Sequence, residues 1–157
     1  MIEKMKSRCC DSPIGKIYVI EADGAVVSID FTPPTGCEVG DGSPLLEQVC
    51  GLLDEYFRGG QPDFSLVPLR AEGTLFQQEV WKALLTIPYG ETRTYGQIAH
   101  MIGRPKAVRA VGGACGRNPL PILVPCHRVV GADGSLTGFS CGLDRKRFLL
   151  SLEGILK

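Results

Sequence analysis

The chain opens with two runs that alternate like strands. Lys16-Ile-Tyr-Val-Ile20 and Ala25-Val-Val-Ser-Ile-Asp-Phe31 are rich in β-branched and aromatic residues, and Asp23-Gly24 between them is a strong hairpin turn. A turn-rich loop over 32–42 follows, carrying Pro33-Pro34, Gly36, Gly40 and Gly42. The period then changes. Ser43-Pro44 reads as an N-cap followed by a first-turn proline, and Leu45, Leu46, Val49, Leu52, Leu53, Tyr56 and Phe57 fall on one helical face that Gly59-Gly60 stops. Residues 61–72 read as a linker with a short extended piece.

From Thr74 the pattern is helical. Thr74 and Gln77 have capping-box spacing, and Phe76, Val80, Ala83, Leu84 and Ile87 recur at helical period until Pro88-Tyr89-Gly90 breaks the run. Thr94 and Gln97 repeat the capping box and open a short helix over 95–102, closed by Gly103. Pro105 stands at the first turn of a further helix running to Gly116, rich in Arg and small residues. Two short helices about a Gly-containing turn have the outline of a helix-turn-helix, an outline also shared by helix pairs that never meet DNA. Pro119, Pro121 and Pro125 rule out a long regular element next, and Ile122-Leu-Val124 reads as a short buried extended segment leading into Cys126. Residues 132–135 form a turn. A last helix over 143–153 turns Phe148, Leu149 and Leu152 inward and ends at Gly154.

These elements predict an α+β protein of two small domains. Residues 1–70 form an antiparallel sheet with a helix in a supporting role. Residues 73–157 form a mainly helical, winged-helix-like domain carrying the helix-turn-helix. Length suffices for a core without metal or disulfide staples. No apolar run approaches the ~18–20 residues that span a bilayer, and the N-terminus lacks the apolar stretch of a signal peptide. The expected setting is cytoplasmic, the chain a monomer with no membrane partner.

Charge sharpens the division. The formal net charge is zero, yet residues 1–72 hold six Lys/Arg against twelve Asp/Glu, and residues 73–157 hold eleven against five. No acid occurs between Thr92 and Ala132, a stretch with Arg93, Arg104, Lys106, Arg109, Arg117 and Arg128. A polyanion partner and a merely solvated basic face fit this block equally well. The seven cysteines form no C-x-x-C pair, and the two histidines show no ligand spacing with them, so a zinc site is not expected. In a reducing compartment the thiols are expected mostly free, with Cys9, Cys10, Cys37 and Cys50 inert.

One cysteine stands apart. Cys126 lies between Pro125, which stiffens the backbone, and His127-Arg128. A thiol is only partly ionised at neutral pH, so a nucleophilic cysteine needs a base or cations nearby; His127 is a candidate to relay its proton, provided the turn after Pro125 brings the two together or a water bridges them. Taken alone a Cys-His dipeptide is more often structural. The run Pro125-Cys126-His127-Arg128-Val129-Val130, however, resembles the active-site signature of the O6-alkylguanine-DNA alkyltransferases, the methylated-DNA–protein-cysteine methyltransferase family. Phe76-Gln77, Val80-Trp81, Ile87-Pro-Tyr-Gly-Glu-Thr92, Thr94-Tyr95, Arg109-Ala-Val-Gly112, Asn118-Pro119, Gly138-Phe139 and Leu152-Glu-Gly154 stand in that family's order and spacing. The likeness covers residues 73–155; the N-terminal part fits by length and outline only.

The resemblance implies direct-reversal repair: one irreversible transfer of a methyl or alkyl group from O6-alkylguanine in duplex DNA, with O4-alkylthymine a second candidate substrate, onto Cys126. It implies no cofactor, because DNA is the alkyl donor. His127 matches the histidine that takes the thiol proton through water, Glu153 the carboxylate that holds it, and Asn118 the asparagine bracing the turn. Tyr95 matches the tyrosine near the target nucleotide, a proton donor to guanine N3. Arg109 matches the arginine finger that fills the gap left by a flipped base. Around it Thr94, Ala110, Gly112 and Gly113 are expected at the DNA, the glycines either admitting a phosphate backbone or packing on another element. Pro121, Val129, Phe139 and Ser140 are expected to line the base pocket. Trp81 and Phe76 read as core and His100 as a surface residue. Cys141 stands where the family commonly has glycine, offering a second thiol near Cys126. Two rivals remain at this point: a DNA-binding module without chemistry, and a thiol hydrolase that ignores DNA.

Overall fold

The structure, a computed structural model, describes residues 5–35, 43–136 and 141–156, with the backbone of 38–39. The chain folds as two units, Met1–Ala71 and Glu72–Lys157. Part of the expected loop over 32–42, including Gly36, Cys37, Gly40 and Gly42, and Gly138, Phe139 and Ser140 lie outside the described residues.

In the first unit, β1 (Met5–Cys10), β2 (Ile17–Ala22), β3 (Ala25–Asp30) and β4 (Glu38–Val39) form one sheet in the order β3-β2-β1-β4. The β1–β2 and β2–β3 pairs are antiparallel, and β4 runs parallel to β1. Asp23 and Gly24 both take positive φ, at 50° and 79°, as a two-residue hairpin turn requires. Helix α1 (Pro44–Phe57) buries Leu46, Val49, Leu53 and Tyr56 at helical spacing. Its N-cap works in two directions: the Ser43 hydroxyl accepts from the Leu46 amide and donates to Glu21 at 2.9 Å.

Two features of this unit differ from the sequence reading. Strand β1 was not expected, because Met-Lys-Ser-Arg-Cys-Cys has few β-formers; pairing with the apolar β2 makes it a strand. Cys10 and Cys50, expected as free thiols, are joined in a disulfide across a sequence separation of 40. The last residue of β1 meets the middle of α1 there, with the two Cα atoms 5.9 Å apart, inside the range a disulfide can span. Cys9, Cys115, Cys126 and Cys141 remain thiols.

In the second unit, α2 (Leu75–Leu84) and α3 (Tyr95–Met101) each begin in a complete capping box, at Thr74/Gln77 and Thr94/Gln97. Helix α4 (Val108–Gly116) packs against both, and the Trp81 indole donates to the Ala114 carbonyl at 2.9 Å, tying α2 to α4. Trp81 is core as expected; Phe76 is half-buried beneath the Arg104 guanidinium, and His100 is exposed. Helix α4 starts three residues after Pro105, which lies in the α3–α4 turn rather than in a first helical turn. The strands β5 (Arg93–Thr94) and β6 (Val129–Val130) pair in parallel, unlike the antiparallel hairpin of a wing.

Helix α5 (Leu143–Leu152) corrects a further expectation. Phe148 is on the outside, Leu152 is only partly covered, and the buried stripe is Lys146, Leu149 and Leu150, continued by Glu153 at the C-cap. These positions are i, i+3, i+4 and i+7, a proper helical face. Reading by hydrophobicity rotated the helix, because two of the four inward residues are charged.

Candidate active site

The segment after α4 is built to hold one turn. Asn118 is buried; its Oδ1 accepts from the Leu120 amide and its Nδ2 donates to the Val124 carbonyl, both at 2.9 Å. Between them the chain doubles back, with the Val124 amide donating to the Leu120 carbonyl at 2.8 Å. Ile122–Val124 is therefore a tight turn and not the extended segment expected. Ile122 takes φ 75°, a left-handed conformation that costs a β-branched residue about 1–3 kcal/mol. The 3-10 turn Cys126–Arg128 follows, its amides anchored at Val124 and Pro125, and passes into β6.

This turn buries both Cys126, 2 % exposed, and His127, 0 % exposed. His127 Nε2 lies 2.6 Å from Glu153 Oε2. The same carboxylate accepts from Arg128 Nε at 2.8 Å, from Arg128 Nη2 at 3.1 Å and from the Gly90 amide at 3.1 Å. Arg128 in turn donates to the Ile87 carbonyl at 2.8 Å and lies over the Tyr89 ring. The Ile87-Pro-Tyr-Gly motif thus supports the end of α5, and through Glu153 it orients the imidazole.

Burial pushes the Cys126 thiol up to about 12; a hydrogen bond from the Asn118 side chain and the charge of Lys146 pull it down, while Cys115 and Cys141 push it further up. Burial holds His127 below the usual imidazole value, against the opposing pull of Glu153. At neutral pH the resting pair is a neutral thiol beside a neutral imidazole whose Nε2 is engaged by a carboxylate. A thiol can pass its proton to an imidazole within hydrogen-bond reach, or through one water, when an electrophile arrives.

The β5–β6 pairing sets Thr94 beside Val130, and so brings the start of α3 next to the cysteine turn. Tyr95 is half-buried there, and a Cβ added at Gly112 on α4 would meet its ring only at ordinary contact distance. The Thr94 hydroxyl accepts from the Gln97 amide at 3.0 Å as the α3 cap. Arg109, Ala110 and Gly113 point outward on α4, and a Cβ added at Gly113 would meet nothing. Packing within the described residues therefore does not demand glycine at 113. Pro121 and Val129 are buried. Among the described residues no three His, Cys, Asp or Glu gather as metal ligands, and no helix is long and apolar enough to cross a membrane.

Sequence reasoning missed Lys146. It is 1 % exposed, and its ammonium donates to the Val129 carbonyl at 2.6 Å and stands 6.0 Å over the Tyr95 ring. The signal was present: only with Lys146 and Glu153 included does α5 show a regular inward stripe.

Residues 75–155 match the family model described as 6-O-methylguanine DNA methyltransferase, DNA binding domain, and residues 5–71 match its ribonuclease-like domain. The chain belongs to the 6-O-methylguanine DNA methyltransferase family. It is 46% identical over 149 residues to the methylated-DNA–protein-cysteine methyltransferase of Haemophilus influenzae, covering 92% of this chain and 83% of that one. The Methanosarcina acetivorans protein of the same name is 49% identical over 149 residues, covering 92% and 95%. A crystal structure of the Mycobacterium tuberculosis O6-methylguanine methyltransferase superposes with a TM-score of 0.87 at 46% identity, covering 95% of this chain and 92% of that one. A Mycobacterium tuberculosis structure in complex with DNA gives the same TM-score at 48% identity, covering 94% and 92%.

Proposed function

We propose that this methyltransferase-family chain repairs DNA by direct reversal, taking the alkyl group of O6-alkylguanine onto Cys126 in one irreversible step. The observation that carries the reading is the buried Cys126–His127 turn with Glu153 2.6 Å from His127 Nε2. Glu153 occupies Nε2, so the thiol proton goes to Nδ1, directly or through water. The thiolate attacks the carbon on O6; the S–C bond forms as the C–O6 bond breaks, and the electron pair leaves into the purine. Tyr95 supplies a proton to the base, so that over the whole reaction one hydrogen replaces the alkyl group. A thioether remains on Cys126, and among the described residues no neighbouring group is suited to cleave it. The protein is then spent, and no cofactor enters.

The lesion must leave the duplex to reach a buried sulfur. Arg109, outward on α4, takes the place of the flipped base, with α3 and α4 serving as the helix-turn-helix. Ala110 and Gly113, which present almost no side chain, let the phosphate backbone approach. Gly112, like Ala110 and Gly113, lies at the DNA, and Thr94 contacts DNA beside its capping role. Val129 and Pro121 border the base. Residues 73–157 carry DNA binding and chemistry, and residues 1–70 support them. The chain works as a monomer in the cytoplasm.

The test is direct. Incubation with a duplex carrying O6-methylguanine, followed by intact-protein and peptide mass measurement, is expected to find one methyl group per protein, on the Cys126 peptide. Retention of binding with no methylated Cys126 would leave only a DNA-binding module. Turnover of a thioester with no response to the duplex would leave a hydrolase.

A further inference from the structure

We propose that Lys146 is a positioning residue for the transfer: a buried cation that holds the Val129 carbonyl and stabilises negative charge on the Cys126 sulfur. The proposal rests on the alkyl-transfer reading and adds to it a group outside the His127–Glu153 relay.

Lys146 leaves α5 on its inward stripe, two turns before Glu153, and is almost completely buried. An ammonium in such a place costs several kcal/mol of desolvation unless something compensates. Its contacts include a 2.6 Å hydrogen bond to the Val129 carbonyl and a position 6.0 Å from the centre of the Tyr95 ring. Val129 pairs with Arg93 in the β5–β6 ladder and follows the cysteine turn directly, so the lysine fixes the strand that carries the turn forward.

The charges around Cys126 explain why a cation belongs there. Cys115 on α4 and Cys141 in the segment before α5 both raise the cost of a thiolate at Cys126. Asn118 offers a hydrogen bond. His127 sits in the same turn, bound to Glu153, with Arg128 alongside. Against this background Lys146 is the charged side chain that favours the thiolate, and the thiolates of Cys126 and Cys115 in turn favour charged Lys146. Burial alone drives lysine toward neutrality, so ammonium and thiolate stabilise each other. By contrast, Lys146 disfavours protonated His127. Its charge thus favours the thiolate while opposing an imidazolium, so its help to the transfer is through the sulfur and the Val129 carbonyl.

The experiment compares wild type, Lys146→Met and Lys146→Arg in three measurements: single-turnover methyl transfer from duplex DNA across pH 6–10, iodoacetamide labelling of Cys126 over the same range, and urea unfolding. Lys146→Met keeps length and apolar bulk. It is expected to slow transfer at neutral pH by about tenfold or more, and to move both the transfer and the labelling profiles at least ~1 pH unit upward, the shift equivalent to tenfold in ionisation. Its stability should change little in either direction, because relief of a desolvated cation offsets the hydrogen bond lost to the Val129 carbonyl. Lys146→Arg, if folded, should keep the lower profile. Unchanged profiles in folded Lys146→Met would overturn the proposal, as would a rate loss matched by unfolding with no pH displacement. A wild type that labels but transfers no methyl would instead remove the alkyl-transfer reading.

Discussion

Replacing Glu153 with Gln tests the relay, because the change keeps shape and removes one charge. The carboxylate meets His127 and one Arg128 nitrogen on Oε2, and Gly90 and the second Arg128 nitrogen on Oε1. In the amide one oxygen becomes an NH2 group. With the oxygen kept toward Gly90 and Arg128 Nε, the NH2 faces Arg128 Nη2, donor against donor, and His127 Nε2. The imidazole can then accept only by moving its own hydrogen to Nδ1. That tautomer cannot take a proton from the thiol.

Two separate magnitudes follow. Breaking a buried ion pair by removing one partner costs about 3–5 kcal/mol. The low end, ~3 kcal/mol, applies here, because Arg128 keeps its Ile87 bond and its side chain is 11% exposed. Losing a general base costs about 10²–10⁴ in rate. Urea unfolding and single-turnover methyl transfer at pH 7.5 read the two quantities independently. Folded Glu153→Gln transferring within about threefold of wild type would refute the reasoning, since the thiol proton would then not pass through a carboxylate-held His127.

Three further outcomes are expected. Reduction of Cys10–Cys50, which spans a separation of 40, should lower the stability of the N-terminal unit by up to ~4 kcal/mol through regained chain entropy; unfolding curves with and without reductant, alongside a thiol count, check this. Arg109→Ala lies on an exposed helix surface, so stability should change by less than ~0.5 kcal/mol, while transfer from duplex DNA slows and transfer from the free O6-methylguanine base does not. Cys126 and Cys115 are each raised by burial to about 12 from an ordinary 9.0, so the folded state keeps protons that the unfolded state releases; their contribution is whole below pH 9 and is lost as pH climbs to about 12. Wild type should accordingly lose stability above pH 9 more steeply than Cys115→Ala/Cys126→Ala, and parallel curves would contradict the assigned burial.

What could be read from the sequence is what is decided within a few residues. Asp23-Gly24, the two capping boxes and Ser43-Pro44 act over three or four positions, and each appears where its chemistry places it. Strand β1 was invisible because its identity comes from β2, and the Cys10–Cys50 bond because only the fold brings together residues 40 apart. The start of α4 was misread for a related reason: Pro105 suits a first helical turn, but the chain first closes a turn in which the Ala107 amide reaches the Arg104 carbonyl.

The misreadings of Lys146 and Ile122 have a different cause, and both lie at the site beside Glu153, which only the family resemblance and not hydrophobic patterning placed there. Hydrophobic patterning assumes that buried positions are apolar and that β-branched residues avoid the left-handed region. Lys146, Glu153 and Ile122 each break one of those rules, and all three belong to the framework around Cys126. None of the three stabilises the fold by itself: a buried ammonium and a buried carboxylate lose hydration, and the Ile122 backbone is strained. Each is held because its surroundings over-determine it. Glu153 is held by Arg128 and Gly90, Lys146 by Val129, and the Ile122 turn by the two Asn118 bonds that flank it. A sequence rule that fails three times around one sulfur locates the chemistry more sharply than any motif of apolar residues, because a fold retains such groups only where the rest of its packing can offset their cost.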